Sequence, residues 1–244
     1  EVIEGLELSL KLDKIKEEMI DIKNRFGDKR RTEITLDSYD IEDEDLIPQE
    51  DILITLTQKG YIKRLTTDTF KAQNRGGKGI KGMTTSEDDN VELIIGANTH
   101  KDILFFTSYG KVYRLRGYQI PEFSRTSKGI PVVNLISAEK QEKVKVIISI
   151  DAYDEEHQLT FITKQGIVKR VSLDQFESVR QNGKIAIELR DEDELIDVKL
   201  TDGNAEILIA ANNGKLARFN ETDVRSMGRT ATGVTGIKLK NDDY

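Results

Sequence analysis

Ile52-Leu53-Ile54-Thr55-Leu56-Thr57-Gln58-Lys59-Gly60-Tyr61-Ile62-Lys63-Arg64-Leu65 reads as a β-hairpin, two short apolar runs flanking a Lys-Gly turn. The pattern returns three times. β-rich runs at Ile103 to Thr107, Leu159 to Thr163 and Ile207 to Ala211 lead into turn glycines Gly110, Gly166 and Gly214. Counted from Gly60, these glycines lie 50, 56 and 48 residues apart. Two positions after each glycine comes an apolar residue (Ile62, Val112, Val168, Leu216). Four positions after comes an arginine (Arg64, Arg114, Arg170, Arg218), and five after another apolar residue (Leu65, Leu115, Val171, Phe219). A second glycine, at Gly79, Gly129, Gly183 and Gly233, closes each unit 19, 19, 17 and 19 residues beyond the first. Hairpin repeats near fifty residues predict an all-β, propeller-like array, in which no blade buries its apolar face alone. The chain has no Trp, so the Trp-Asp signature of the commonest propeller repeat is absent.

The first 36 residues have a different period. Leu8, Leu12, Ile15, Met19, Ile22 and Phe26 step by four and three, and Gly27 follows as a helix stop. This predicts a helix, either one strand of a coiled-coil arm or an amphipathic helix lying on its own β domain. A seam this short is marginal in isolation. The expected organisation is residues 1–36 as helical arm and connector, 37–51 as acidic linker, and 52–244 as the β repeat of about four blades, the last truncated.

The net charge of -7 hides a strong division. Residues 37–51 carry eight acids and no base, so the rest of the chain sums to +1. The linker fits a spacer, or a brake competing for a basic surface. Residues 58–82 alone hold seven bases against Asp68, and the matching stretches of the later units come to +4, +3 and +2. Acids gather between them at Glu87 to Asp89, Asp154 to Glu156, Asp191 to Glu194 and Asp242 to Asp243. Equivalent blades would then present a positive track on one rim and acidic loops elsewhere. The arginine four residues after each turn glycine fits a blade-to-blade ion pair as well as a ligand contact.

The first unit ends in Gln73-Asn74-Arg75-Gly76-Gly77-Lys78-Gly79. Three glycines let backbone come close to a polyanion, while Arg75 supplies a forked donor and Lys78 a point charge. There is no cysteine, hence no disulfide framework and no thiolate chemistry. No signal peptide or long apolar run is visible, so a membrane partner is not expected. His100 and His157 are the only histidines and form no pattern with arranged carboxylates; no metal site and no catalytic constellation is predicted.

This box, the four β repeats and the helix running into Arg25-Phe26-Gly27-Asp28-Lys29-Arg30-Arg31-Thr32-Glu33-Ile34 together resemble the C-terminal region of the bacterial DNA gyrase A protein. The resemblance covers nearly the whole chain. In that family the box reads Gln, basic, Arg, Gly, Gly, basic, Gly, and Asn74 departs from it at the second position. Ser127 to Asn134, Asn182 to Ala186 and Gly228 to Val234 look like weakened later copies. The resemblance implies a β-pinwheel, in which blades exchange strands, and a role in wrapping double-stranded DNA without reading sequence. With the basic segments, the candidate DNA contacts are Gln73, Asn74, Arg75, Gly76, Gly77, Lys78, Gly79, Lys63, Arg64, Lys81, Arg125, Lys128, Lys169, Arg180, Lys184 and Arg229. It further implies a cytoplasmic, nucleoid-associated type II topoisomerase, a heterotetramer in which this region is partnered by the rest of gyrase A and by gyrase B. ATP and Mg2+ would act through other regions, and no cofactor is expected in this chain. None of the seven tyrosines sits in the family's cleavage motif, so this chain is not expected to cut DNA. Two other readings are the equivalent domain of topoisomerase IV, which generally lacks an intact box, and a propeller-type protein-interaction scaffold.

Overall fold

A computed structural model describes residues 2–28, 32, 43–67, 89–240 and 243–244, in two compact units divided between residues 42 and 43. The first unit holds helix α1 (Val2–Phe26), with Lys23 and Arg25 in its last turn, where cations suit the carbonyl end. Gly27 N donates to Lys23 O at 2.8 Å and closes the helix. Of the seam predicted from heptad spacing, Leu12, Ile15, Met19, Ile22 and Phe26 are exposed.

The second unit is mainly β. Blade 1 contains β1 (Asp51–Thr57), β2 (Tyr61–Thr66) and β3 (Val91–Asn98), and blade 2 contains β4 (Asp102–Thr107), β5 (Lys111–Arg116) and β7 (Val144–Ile150). Blade 3 contains β8 (Gln158–Thr163), β9 (Ile167–Ser172) and β11 (Leu195–Thr201), and β12 (Glu206–Ala210) with β13 (Leu216–Asn220) begin blade 4. Three two-residue strands leave their own blade. β6 (Ile130–Pro131) pairs with β2, β10 (Lys184–Ile185) with β5, and β14 (Val234–Thr235) with β9, giving sheet orders β3-β1-β2-β6, β10-β5-β4-β7 and β11-β8-β9-β14. This strand exchange makes the fold a β-pinwheel, and it covers an edge that would otherwise expose unpaired backbone.

The turn glycines explain the repeat spacing. Gly60, Gly110, Gly166 and Gly214 have φ between 71 and 81°, and each donates N–H back to residue i−3. The carbonyls of the first three then receive the next blade, as Val132 N reaches Gly60 O at 2.8 Å, Ala186 N reaches Gly110 O at 2.8 Å and Gly236 N reaches Gly166 O at 2.9 Å.

The cores lie between consecutive blades because the strands bury both faces. On β4, Ile103 and Phe105 pack with Ile52, Ile54 and Leu56 of blade 1, whereas Leu104 and Phe106 pack with Leu159, Phe161 and Phe176 of blade 3. Phe106 meets Phe161 edge-on at 5.5 Å. Each such side chain contributes about 1.5–3 kcal/mol through burial, so the blades stabilise one another in series. On β12 the period of two continues, with Ile207 and Ile209 buried and Leu208 exposed.

Ahead of β1 the chain makes a 3-10 turn at Asp43–Leu46 and lies on the β3–β4 turn. Thr99 N donates to Glu50 O at 3.0 Å, Thr99 Oγ1 to Pro48 O at 2.9 Å, and His100 Nε2 is 2.9 Å from Ile47 O.

Candidate nucleic-acid interface

Three crossing segments, residues 117–131, 173–185 and 221–235, carry the exchanged strands and run beside the second strand of the preceding blade. Backbone bonds hold them there: Arg64 N to Pro121 O (3.2 Å), Arg114 N to Arg180 O (3.4 Å) and Met227 N to Arg170 O (2.8 Å). On these segments sit Arg125 and Lys128, then Arg180 and Lys184, then Arg225 and Arg229. Arg180 and Arg225 are exposed; Arg125, Lys128, Lys184 and Arg229 are partly so. Arg125 and Arg229 each lie four residues before the closing glycine, Arg180 three before in the shorter segment, and Arg75 four before Gly79. Arg225 was missed by sequence reasoning, because it falls outside the box-like copies. Lys128 Nζ lies 3.7 Å from the Tyr61 ring centroid, a cation–π contact that points it along the edge of blade 1. Lys184 Nζ donates to Ser178 Oγ at 2.8 Å.

Lys63 and Lys169, expected to face DNA, are instead fully buried. Lys63 Nζ donates to the carbonyls of Ser124 (3.2 Å), Arg125 (2.6 Å) and Ser127 (2.9 Å), so its charge is taken up by the crossing segment. Lys169 Nζ donates to Ala186 O at 2.8 Å and to Arg229 O. Burial lowers the pKa of Lys63; for Lys169, burial and then the nearby Arg229 guanidinium lower it to about 7, with Glu188 opposing. A buried ammonium with its donors committed cannot reach a phosphate. The same position in blade 2 holds Tyr113, whose hydroxyl meets the buried Glu142 carboxylate at 3.1 Å.

The recurrent arginines have the structural task. Arg64 Nε donates to Ile120 O at 2.6 Å, with Glu122 at 3.7 Å. Arg114 pairs with Asp102 at 3.0 Å and donates to Glu177 O at 3.1 Å, and Arg170 lies 3.6 Å from Glu221. In each case the partner on the crossing segment belongs to the following blade. Arg218 pairs with Glu206 across its own hairpin at 2.8 Å. Arg64 is thus another predicted contact engaged between blades. Gln73, Asn74, Arg75, Gly76, Gly77, Lys78, Gly79 and Lys81 lie outside the described residues.

The acidic loops have a matching explanation. Just before the returning strands of blades 1 to 3, a backbone carbonyl accepts from the hairpin turn: Gln58 N to Asn90 O, Ser108 N to Lys143 O and Lys164 N to Glu194 O, and in blade 4 Asn212 N donates to Tyr244 O in the same way, all at 2.8 to 2.9 Å. Aspartates at this corner cap the turn amides, Asp89 accepting from Lys59 N at 3.1 Å and Asp193 from Gln165 N at 2.9 Å. In blades 1 and 3 acids therefore sit at the hairpin corners while cations sit on the crossing segments, whereas Asp154 to Glu156 lie apart, in the connection between β7 and β8.

Residues 51–95, 101–144, 157–202 and 205–244 match the family described as DNA gyrase C-terminal domain, beta-propeller, one match for each blade. This chain belongs to that family. It is 56% identical over 221 residues to the DNA gyrase A protein of Ureaplasma parvum, covering 90% of this chain and 26% of that protein. It is 50% identical over 245 residues to the DNA gyrase A protein of Staphylococcus epidermidis, covering 100% of this chain and 27% of that protein. The chain thus spans about a quarter of the length of these curated relatives. A solved gyrase A C-terminal domain superposes with a TM-score of 0.63 at 28% identity, covering 80% of this chain and 62% of that one. The C-terminal domain of a DNA topoisomerase IV gives 0.70 at 27%, covering 81% and 60%. Membership of the gyrase family agrees with the four-blade register and the exchanged strands. Among the described residues no group of His, Cys, Asp or Glu could hold a metal ion, and no helix is long and apolar enough to cross a membrane.

Proposed function

We propose that the β unit binds and bends double-stranded DNA without reading its sequence, as the wrapping part of a gyrase A protein. The observation that carries this reading is the placement of Arg125, Arg180 and Arg229 at matching positions on three successive crossing segments, each segment fastened from beneath. Repeated cations at blade intervals neutralise successive phosphates and release counterions, which gives affinity with no base readout. Sharp bending costs about 1–6 kcal/mol in elastic terms, and contacts spread over several blades offset it. Lys128, Lys184 and Arg225 extend the set, and the box Gln73 to Gly79 with Lys81 adds the first blade's contribution. Lys63, Arg64 and Lys169 hold the cation-bearing segments in place.

In this reading the whole protein is a type II topoisomerase that introduces negative supercoils with ATP and Mg2+ bound elsewhere. It works in the cytoplasm with the rest of gyrase A and with gyrase B, and the DNA-cleaving residues lie outside this chain. The near-intact box and the 50–56% identity to gyrase A relatives favour gyrase over topoisomerase IV. A mobility-shift titration over a salt series tests the proposal. Log affinity should fall with log salt by about 0.9 per phosphate neutralised, equally for unrelated sequences, and a flat response would exclude DNA wrapping.

A further inference from the structure

The hairpin corner of blade 2 breaks the charge rule of the others. The corners of blades 1, 3 and 4 hold Asp89, Asp191-Glu192-Asp193-Glu194 and Asp243, whereas blade 2 carries Glu139-Lys140-Gln141-Glu142-Lys143 followed by Lys145. Its two acids do not restore the negative sign. Glu142 is buried against Thr107 Oγ1 (2.5 Å) and Tyr113, and Glu139 is held by Lys111 at 2.6 Å.

Beside this corner lies a cleft of about 580 Å³ between the hairpin turn of blade 1 and the returning loop of blade 2, lined by Lys59, Lys140, Lys143 and Lys145 as well as by Glu92. Lys145 pairs with Glu194 at 2.9 Å. Lys59, Lys140 and Lys143 are exposed and have no ion-pair partner among the described residues. The crossing segment reaches this cleft at Pro131, and its Lys128 lies over Tyr61, two residues from Lys59.

We propose that this cleft is a second phosphate-binding site, where the DNA backbone turns off the crossing segment and passes over the boundary of blades 1 and 2. It rests on the DNA-binding reading above. The cations are all lysines, hydrated point charges on flexible stems, suited to a phosphodiester chain that need not be held in one register. The acidic corners of blades 3 and 4 would repel the same backbone, whereas Asp89 at the corner of blade 1 is buried on the Lys59 amide, so the corner of blade 2 is the exit with the matching sign.

The test compares the parent with the triple variant Lys59→Gln/Lys140→Gln/Lys143→Gln, and with a control at the acidic corners, Lys164→Gln/Lys215→Gln/Lys240→Gln. Thermal melting should be unchanged in both, since all six side chains are exposed. The first variant should lose about two to three from the magnitude of the log affinity–log salt slope and bend an end-labelled duplex less; the control should do neither. A parent with no salt slope would remove the DNA-binding reading and this site together. A steep parent slope that the first variant keeps, or that the control lowers equally, would overturn the second site alone.

Discussion

Lys63 Nζ donates to the backbone oxygen of Arg125 at 2.6 Å, so a buried cation fixes the segment that carries a partly exposed one. The arrangement recurs between Lys169 and Arg229. One lysine in each pair is held inside the protein so that an arginine on the next blade has a defined position outside it. This division of labour separates how tightly DNA binds from how well it is shaped.

Lys63→Met should therefore lower the melting temperature, because the carbonyls of Ser124, Arg125 and Ser127 lose their common donor, and a buried group left unsatisfied costs about 1–3 kcal/mol. All the exposed cations of the crossing segments remain. At temperatures where the variant is folded, mobility-shift affinity at low salt should stay close to the parent while energy transfer between the ends of a bent duplex falls. Equal loss in both assays would argue against a positioning role.

Lys169 gives the protein a pH dependence with a definite sign. Its folded pKa of about 7 lies below the ordinary 10.5, so between these values the unfolded chain holds a proton that the folded chain releases. Stability should rise with pH from about 7 toward 10.5, by at most about 1.4 kcal/mol per pH unit from this group. The neutral amine keeps two N–H donors for Ala186 O and Arg229 O. Urea midpoints at pH 7, 8 and 9 should climb in the parent and climb less in Lys169→Met.

Replacing Gln73 to Gly79 by alanine removes the charges of Arg75 and Lys78 and three glycines, but leaves Arg125, Arg180, Arg225 and Arg229. Affinity should weaken modestly, whereas bending should be largely lost, since the tight approach of backbone to DNA depends on the glycines. A variant that bends DNA as well as the parent would reduce the box to a basic turn.

A peptide of residues 1–30 should be mostly unfolded by circular dichroism. Leu12, Ile15, Met19 and Ile22 are exposed along α1 and give a lone helix nothing to bury. Strong helicity independent of concentration would show that the segment needs no partner.

The amino-acid sequence by itself determined the hairpin register, the four-unit repeat and the helix end, because these rest on local chemistry. Gly60, Gly110, Gly166 and Gly214 mark turns needing positive φ, strand periodicity spans only a few residues, and Gly27 stops a seam. The box was equally legible, as a run of glycine and cation. What only the tertiary structure decided is which cations face outward. Lys63 and Arg64 look like Arg125 when only charge is counted, but the carbonyls that claim Lys63 come from residues 61 to 64 positions away, on a segment exchanged from the next blade. The spacing of acids was visible and its cause was not, since Asp89 and Asp193 cap turns 30 and 28 residues distant. Burial of a charge depends on long-range partners that replace its water, and neither composition nor spacing records where those partners fold.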